Sequence, residues 1–90
     1  MEGGVILLEG LIEGKIVHFV MPNGQHRPAI IVKVWDWFTG CCNLQVFIDG
    51  TNDDKNTYLG LIWKTVVLFD NVQKKANTWH WVEQTTSSKV

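Results

Sequence analysis

Short runs of β-branched and aromatic residues, separated by turn-forming residues, are the feature that most restricts the fold of this 90-residue chain. The runs cover residues 16–21, 29–36, 43–49, 62–69 and 78–82. No apolar pattern with the period of an amphipathic helix extends beyond a turn or two. The sequence therefore predicts an all-β domain, a small antiparallel SH3-like barrel of five to six strands.

The alternation within two of these runs predicts which side chains share a face of the sheet. It gives two sets, Ile30, Val32 and Val34 from the second run, and Leu44, Val46 and Ile48 from the third. The turn-forming residues 38–40 lie between these runs. We therefore expect the two runs to pair as an antiparallel hairpin.

The domain boundaries follow from the position of the polar and glycine-containing segments. We expect residues 16–83 to form the barrel, residues 1–15 an N-terminal extension or edge strand, and residues 84–90 a disordered tail. Residues 49–56 are acidic but lack the twelve-residue calcium-binding loop pattern, which favours a solvated loop or flap. The apolar residues 5–8 have no basic flank and are followed by acidic residues, which argues against a signal peptide or a membrane span.

Composition restricts the class of partner. The net charge is −1, with 8 basic and 9 acidic residues, which disfavours binding to nucleic-acid polymers but leaves room for a small anionic ligand. Five tryptophans and a hydrophobic content of 46% exceed what one small core hides easily. We therefore expect a homo-oligomer.

The cysteines and histidines offer little sign of catalysis or of a metal site. Cys41 and Cys42 are adjacent, which disfavours a mutual disulfide and predicts reduced thiols in a cytosolic compartment. With these thiols, His18, His26 and His80 supply the ligand types of a zinc site, but their spacing matches no known ligand pattern. No catalytic motif is present. We therefore expect a protein that is not an enzyme and that holds no metal or cofactor.

The Trp79-His80-Trp81 run is the main candidate binding feature. On an extended chain both indoles project to one face and His80 to the other. The indoles either pack into the barrel or an oligomer interface, or form a stacking surface for a planar ligand. In the second case, His80 or Arg27 would meet a phosphate group, and Asn43 would hydrogen-bond a base edge.

Two further cations precede this run. Lys74 and Lys75 lie in the loop before the last predicted strand. They are either solvated or flank an anionic site near that strand.

The segments I-V-H-F-V, H-R-P-A-I-I-V-K-V-W, N-L-Q-V-F-I-D-G, T-V-V and T-W-H-W-V-E together resemble a group of small bacteriophage proteins that end their barrel in T-W-H-W-P-E. The resemblance spans residues 16–83, and the terminal motif is its specific part. Two departures are Val82 in place of the motif's proline and a T-V-V segment that lacks a proline.

The resemblance implies a phage-encoded sponge, acting in the host cell cytoplasm, that sequesters a cyclic or modified nucleotide signal of CBASS or Thoeris anti-phage systems. The ligand-binding residues would be Arg27, Asn43, Trp79, His80 and Trp81. One alternative is a phage interaction module that docks a host or virion protein through the same tryptophan-rich surface. Another is an enzyme that cleaves a nucleotide signal through His80 and His18.

Overall fold

The computed structural model describes residues 8–48 and 60–83. In these residues, five strands form a closed barrel in chain order: β1 (Ile16–Val20), β2 (His26–Asp36), β3 (Cys41–Phe47), β4 (Leu61–Phe69) and β5 (Thr78–His80). The all-β prediction is confirmed, and each strand overlaps one predicted run. The predicted loop 49–56, the predicted tail 84–90 and the first seven residues of the predicted extension lie outside the described residues.

The barrel is mixed, so the prediction of a purely antiparallel barrel is wrong in one place. Four strand pairs are antiparallel, whereas β4 and β5 run parallel, with Leu68 opposite Thr78. The connecting segment 70–77 contains two residues with left-handed backbone, Lys74 (φ 54°) and Asn77 (φ 68°). It turns the chain so that β5 runs in the same direction as β4. The last strand then lies antiparallel to β1 and closes the barrel.

The interior is filled by apolar side chains from all five strands. The buried core consists of Leu11, Val17, Phe19, Met21, Ala29, Ile31, Val34, Cys42, Leu44, Val46, Val67 and Trp79. Leu11 precedes β1, so the segment before the first strand also contributes to the core. Among the described residues, no helix has the length and apolar character needed to cross a membrane.

The predicted face of β3 is confirmed, but that of β2 is wrong. Leu44 and Val46 are fully buried and Ile48 packs against the core. In β2 the pairing with β3 is irregular between Ile31 and Lys33, so the alternation shifts by one residue. Ile31 and Val34 therefore face the core, while Val32 is 44% exposed.

The β2–β3 hairpin is confirmed, and its turn depends on a glycine. Asp36 accepts hydrogen bonds from the N–H groups of Phe38 at its carboxylate and of Gly40 at its carbonyl, both at 2.9 Å. Gly40 has a φ of 85°, and a Cβ at this position would lie 2.6 Å from Cβ of Phe69. The carbonyl of Gly40 accepts the indole N–H of Trp79 at 2.7 Å, which ties the hairpin to the last strand.

Candidate metal centre

Strand pairing brings the histidines of the chain to one face of the barrel wall. β1 lies between β2 and β5, and His18 on β1 is directly opposite His80 on β5. His26 begins β2 and is opposite Val20, two residues from His18 and therefore on the same face. Since Phe19 and Trp79 face the core, this face is the outer one.

The three rings form a compact group. Their centroids are 4.8 Å apart for His26 and His80, 5.7 Å for His18 and His80, and 6.3 Å for His18 and His26. Every pair meets edge to face. The sequence contains only three histidines, so this cluster contains all of them.

Glu83, three residues after His80, completes the cluster. Its Oε1 atom lies 2.9 Å from Nδ1 of His18, 3.3 Å from Nδ1 of His26 and 3.2 Å from Nε2 of His80. Three ring nitrogens from three strands therefore converge on one carboxylate oxygen. The other oxygen, Oε2, accepts a hydrogen bond of 3.0 Å from the ammonium group of Lys74.

Local hydrogen bonds fix the segments that carry Lys74 and Glu83. The carboxylate of Asp70 accepts N–H groups of residues 72, 73 and 75, which orders the loop around Lys74. Asn71 accepts the backbone N–H of Trp81 through its side chain at 3.2 Å, which holds the segment that leads to Glu83. The loop therefore positions both charged groups of the cluster.

His80 is the deepest member of the cluster and the least satisfied. Its side chain is 0% exposed, and neither ring nitrogen makes a hydrogen bond to any described part of the chain. Nε2 is within ion-pair distance of Glu83, but the contact lacks the geometry of a hydrogen bond. Burial lowers the pKa of His80, which favours the neutral imidazole.

The electrostatics of Glu83 complement the neutral His80. The pKa of Glu83 is held well below the usual range of a glutamate, chiefly by the hydrogen bond with His18 and next by the hydrogen bond with Lys74. The carboxylate is therefore ionised at neutral pH. Neutral imidazole and ionised carboxylate are the protonation states in which these groups bind metal ions.

The geometry of the cluster fits a single metal ion. The four ligand atoms, one from each residue, all lie within 4.8 Å of one another. In a tetrahedral zinc site with bonds of about 2.0–2.1 Å, the ligand atoms are about 3.3 Å apart. Side-chain movements that shorten the widest separation by about 1.5 Å would therefore complete such a site.

The cysteines lie outside this cluster, although the sequence grouped them with the histidines as potential zinc ligands. Cys41 and Cys42 are free, and Cys42 is fully buried in the core. Burial raises the pKa of Cys42 to about 12, so the thiolate that binds metal is disfavoured. The cluster therefore has nitrogen and oxygen ligands only.

The predicted geometry of the aromatic run is confirmed, but its inner face is the core. Trp79 and Trp81 contact each other, with ring centroids 5.0 Å apart, while His80 joins the histidine cluster on the opposite face. Trp79 is 0% exposed and also packs on Phe69. Trp81 is half-buried against the core. In this conformation Trp79 presents no surface on which a ligand can stack.

Asn43 and Arg27 lie away from the cluster. The side-chain oxygen of Asn43 accepts the indole N–H of Trp35 at 2.8 Å and the backbone N–H of Val66 at 2.9 Å, so it serves the fold. Arg27 is half-buried and opposite Phe19, on the face that does not carry the histidines. Of the five predicted ligand-binding residues, the structure places only His80 in the cluster.

Glu83 is the member of the cluster that sequence reasoning missed. The three-residue spacing from His80 to Glu83 was its only local signal. Grouping it with His18 and His26 requires the pairing of the first and last strands, which the sequence pattern does not reveal.

The comparisons with known proteins return nothing for this chain: no family model, no curated protein and no solved structure matches it.

Proposed function

We propose that this chain is a small metal-binding protein that holds one divalent transition-metal ion, with zinc as the leading candidate. The ligands are Nδ1 of His18, Nδ1 of His26, Nε2 of His80 and the carboxylate of Glu83. The observation that carries the proposal is the convergence of three histidine nitrogens on a single oxygen atom of Glu83.

The unsatisfied state of His80 supports this proposal. A buried polar group without a hydrogen bond costs about 1–3 kcal/mol, so such groups are rare in folded proteins. His80 has two such nitrogens and is fully buried. Coordination of a metal ion by Nε2 would satisfy one of them.

The chemistry of the ligands narrows the choice of metal. Imidazole ligands suit zinc, copper, nickel and iron, whereas calcium and magnesium prefer sites made of oxygen ligands alone. Four protein ligands are typical of zinc sites in which the metal is held rather than used for catalysis. The set of three nitrogens and one oxygen therefore favours zinc.

The proposal replaces the indole pair as the main binding feature, and it departs from the expectation, based on the sequence alone, that the protein holds no metal. Stacking of a nucleotide base on Trp79 would require this side chain to leave the core, where it is hydrogen-bonded to Gly40. Nucleotide sequestration, the bacteriophage resemblance, homo-oligomerisation and a location in the host cytoplasm stay predictions. A phosphate-bearing ligand would instead bind on the outer face, at the histidine cluster.

A cobalt titration of the untagged protein tests the proposal, since Co²⁺ is a coloured substitute for zinc. Metal is first removed with a chelator, and the visible absorption of bound Co²⁺ is then followed to saturation. We expect one Co²⁺ per chain, in a four-coordinate spectrum, and complete displacement by one equivalent of Zn²⁺.

Single substitutions identify the ligands. His18→Gln, His26→Gln and His80→Gln should each weaken metal binding at least about 100-fold, and Glu83→Gln about tenfold. Glu9→Gln is the matched control for the carboxylate, and Cys41→Ser is the control for thiol binding. Circular dichroism of each variant shows whether the barrel is folded. Absence of stoichiometric binding, or histidine variants that are folded and bind like the wild type, would overturn the proposal.

A further inference from the structure

We infer that Glu83 is the exchangeable ligand of this centre and that a phosphate group replaces it, with one oxygen on the metal and another on Lys74. This inference rests on the metal centre proposed above. It gives the centre a ligand class, namely inorganic phosphate and phosphate monoesters.

The backbone holds the four ligands unequally. The backbones of His18, His26 and His80 belong to three hydrogen-bonded strands of the closed barrel. Glu83 follows the last strand, and its side chain is 37% exposed, against 34% for His26, 24% for His18 and 0% for His80. Because Glu83 is the one ligand that lies outside the strands, its carboxylate can be replaced with the least change in the fold.

Withdrawal of Glu83 would leave three imidazole ligands at the centre. A zinc ion on three neutral imidazoles keeps its full charge of +2 and one open position, as in zinc sites with three protein ligands. An anion with a hard oxygen donor would offset part of this charge and occupy the open position. The carboxylate of Glu83 is such an anion. An external oxyanion would coordinate the metal in its place.

Lys74 lies beside the carboxylate that the phosphate group would replace. Its ammonium group lies 3.0 Å from Oε2 of Glu83, while Oε1 of the same carboxylate faces the three histidines. The site thus binds two oxygens of one anion through different partners. A phosphate group also presents two oxygens from one centre, and charge-assisted hydrogen bonds to its oxygens are strong. Chloride has no second atom for Lys74, so the lysine should favour phosphate over chloride.

The experiment uses the untagged, cobalt-loaded protein and inorganic phosphate at constant ionic strength. Cobalt loading is measured first. Phosphate is then titrated while the visible spectrum of the cobalt is followed, and chloride is titrated in parallel. We expect a saturable spectral change with phosphate, and chloride should need at least about ten times the concentration for a comparable change.

Two comparisons test the two residues separately. Glu83→Gln removes the competing carboxylate and should tighten phosphate binding about tenfold relative to the wild type. In that background, Lys74→Met should weaken phosphate binding about tenfold. Lys75→Met, the neighbouring exposed lysine, is the matched control and should leave binding unchanged.

The outcomes separate this inference from the proposal on which it rests. If the wild type does not load cobalt, the metal centre itself is refuted, and the inference with it. If cobalt loads but phosphate leaves its spectrum unchanged, the metal centre stands and the inference is wrong. The inference is also wrong if phosphate binds equally well with Lys74→Met and without it.

Discussion

His18 and His80 lie directly opposite each other on β1 and β5, with ring centroids 5.7 Å apart and ring planes at 88°. They belong to the first and the last strand of the barrel, so the step that closes the barrel also assembles the histidine cluster. The unfolded chain has no such arrangement. A metal ion bound at this cluster would therefore stabilise the closed barrel.

Zinc should accordingly raise the thermal stability of the untagged protein. A ligand that binds only the folded state at 100 times its Kd stabilises that state by about 2.7 kcal/mol. For a domain of this size we expect an increase in Tm of roughly 10 °C or more. His26→Gln is the control, because His26 begins β2 at the surface, and zinc should leave the Tm of that variant nearly unchanged. Equal increases in Tm for the wild type and for His26→Gln would mean that zinc binds elsewhere.

Replacement of the two neighbouring tryptophans should have unequal effects on stability. Trp79→Phe removes a fully buried indole and its hydrogen bond to the carbonyl of Gly40. We expect a loss of about 2–3 kcal/mol in the free energy of unfolding. Trp81→Phe, at a half-buried position, should cost about 1 kcal/mol. Urea unfolding measures both values, and a Trp79→Phe variant as stable as the wild type would argue against a core position.

Loss of the Asn43 side chain should destabilise the barrel through two donors. Asn43→Ala leaves the indole N–H of Trp35 and the backbone N–H of Val66 without their acceptor. The expected loss is about 1–3 kcal/mol. Trp35→Phe removes one of these donors, so the double variant should lose less than the sum of the two single variants. Strict additivity in a double-mutant cycle would mean that this hydrogen bond contributes nothing.

The loop that carries Lys74 should become sensitive to acid through Asp70. Hydrogen bonds from backbone N–H groups, that of Gln73 first, lower the pKa of Asp70 below 3.8 in the folded state. Its stabilising effect is therefore present above that pH and is lost as the pH falls through the lower, folded-state pKa. Asp70→Asn should lower the Tm at pH 7, and the difference from the wild type should shrink below about pH 4.

The acid titration has a matched control and a clear contrary result. Glu9→Gln, an exposed carboxylate on the segment before β1, should track the wild type at every pH. A Tm difference for Asp70→Asn that stays constant down to the lowest pH would show that the hydrogen-bonded carboxylate does not contribute through its charge.

The positions of the strands along the chain were predictable from the sequence, whereas the pairing between strands was predictable only in part. Alternating β-branched residues and the turn at Gly40 were enough for the β2–β3 hairpin. The irregularity near Val32 was not visible, because a bulge depends on how two strands pair rather than on one strand's pattern. The parallel pairing of β4 and β5 was hidden for the same reason.

The candidate site was less predictable than the fold because it depends on pairing between distant strands. The geometry of the run from Trp79 to Trp81 follows from local alternation, and the structure confirms it. Which of its two faces points inward depends on the closure of the barrel. His18 and His26 approach His80 only through that closure, and their spacing along the chain therefore gave no ligand pattern.

A crystal structure of the untagged protein with one equivalent of zinc would show whether the histidine cluster holds the ion. Anomalous diffraction at the zinc absorption edge locates the ion without reference to the chain. We expect one peak, about 2.0–2.1 Å from Nδ1 of His18, Nδ1 of His26 and Nε2 of His80. A map with no peak at these three histidines, or with the zinc bound elsewhere on the chain, would contradict it.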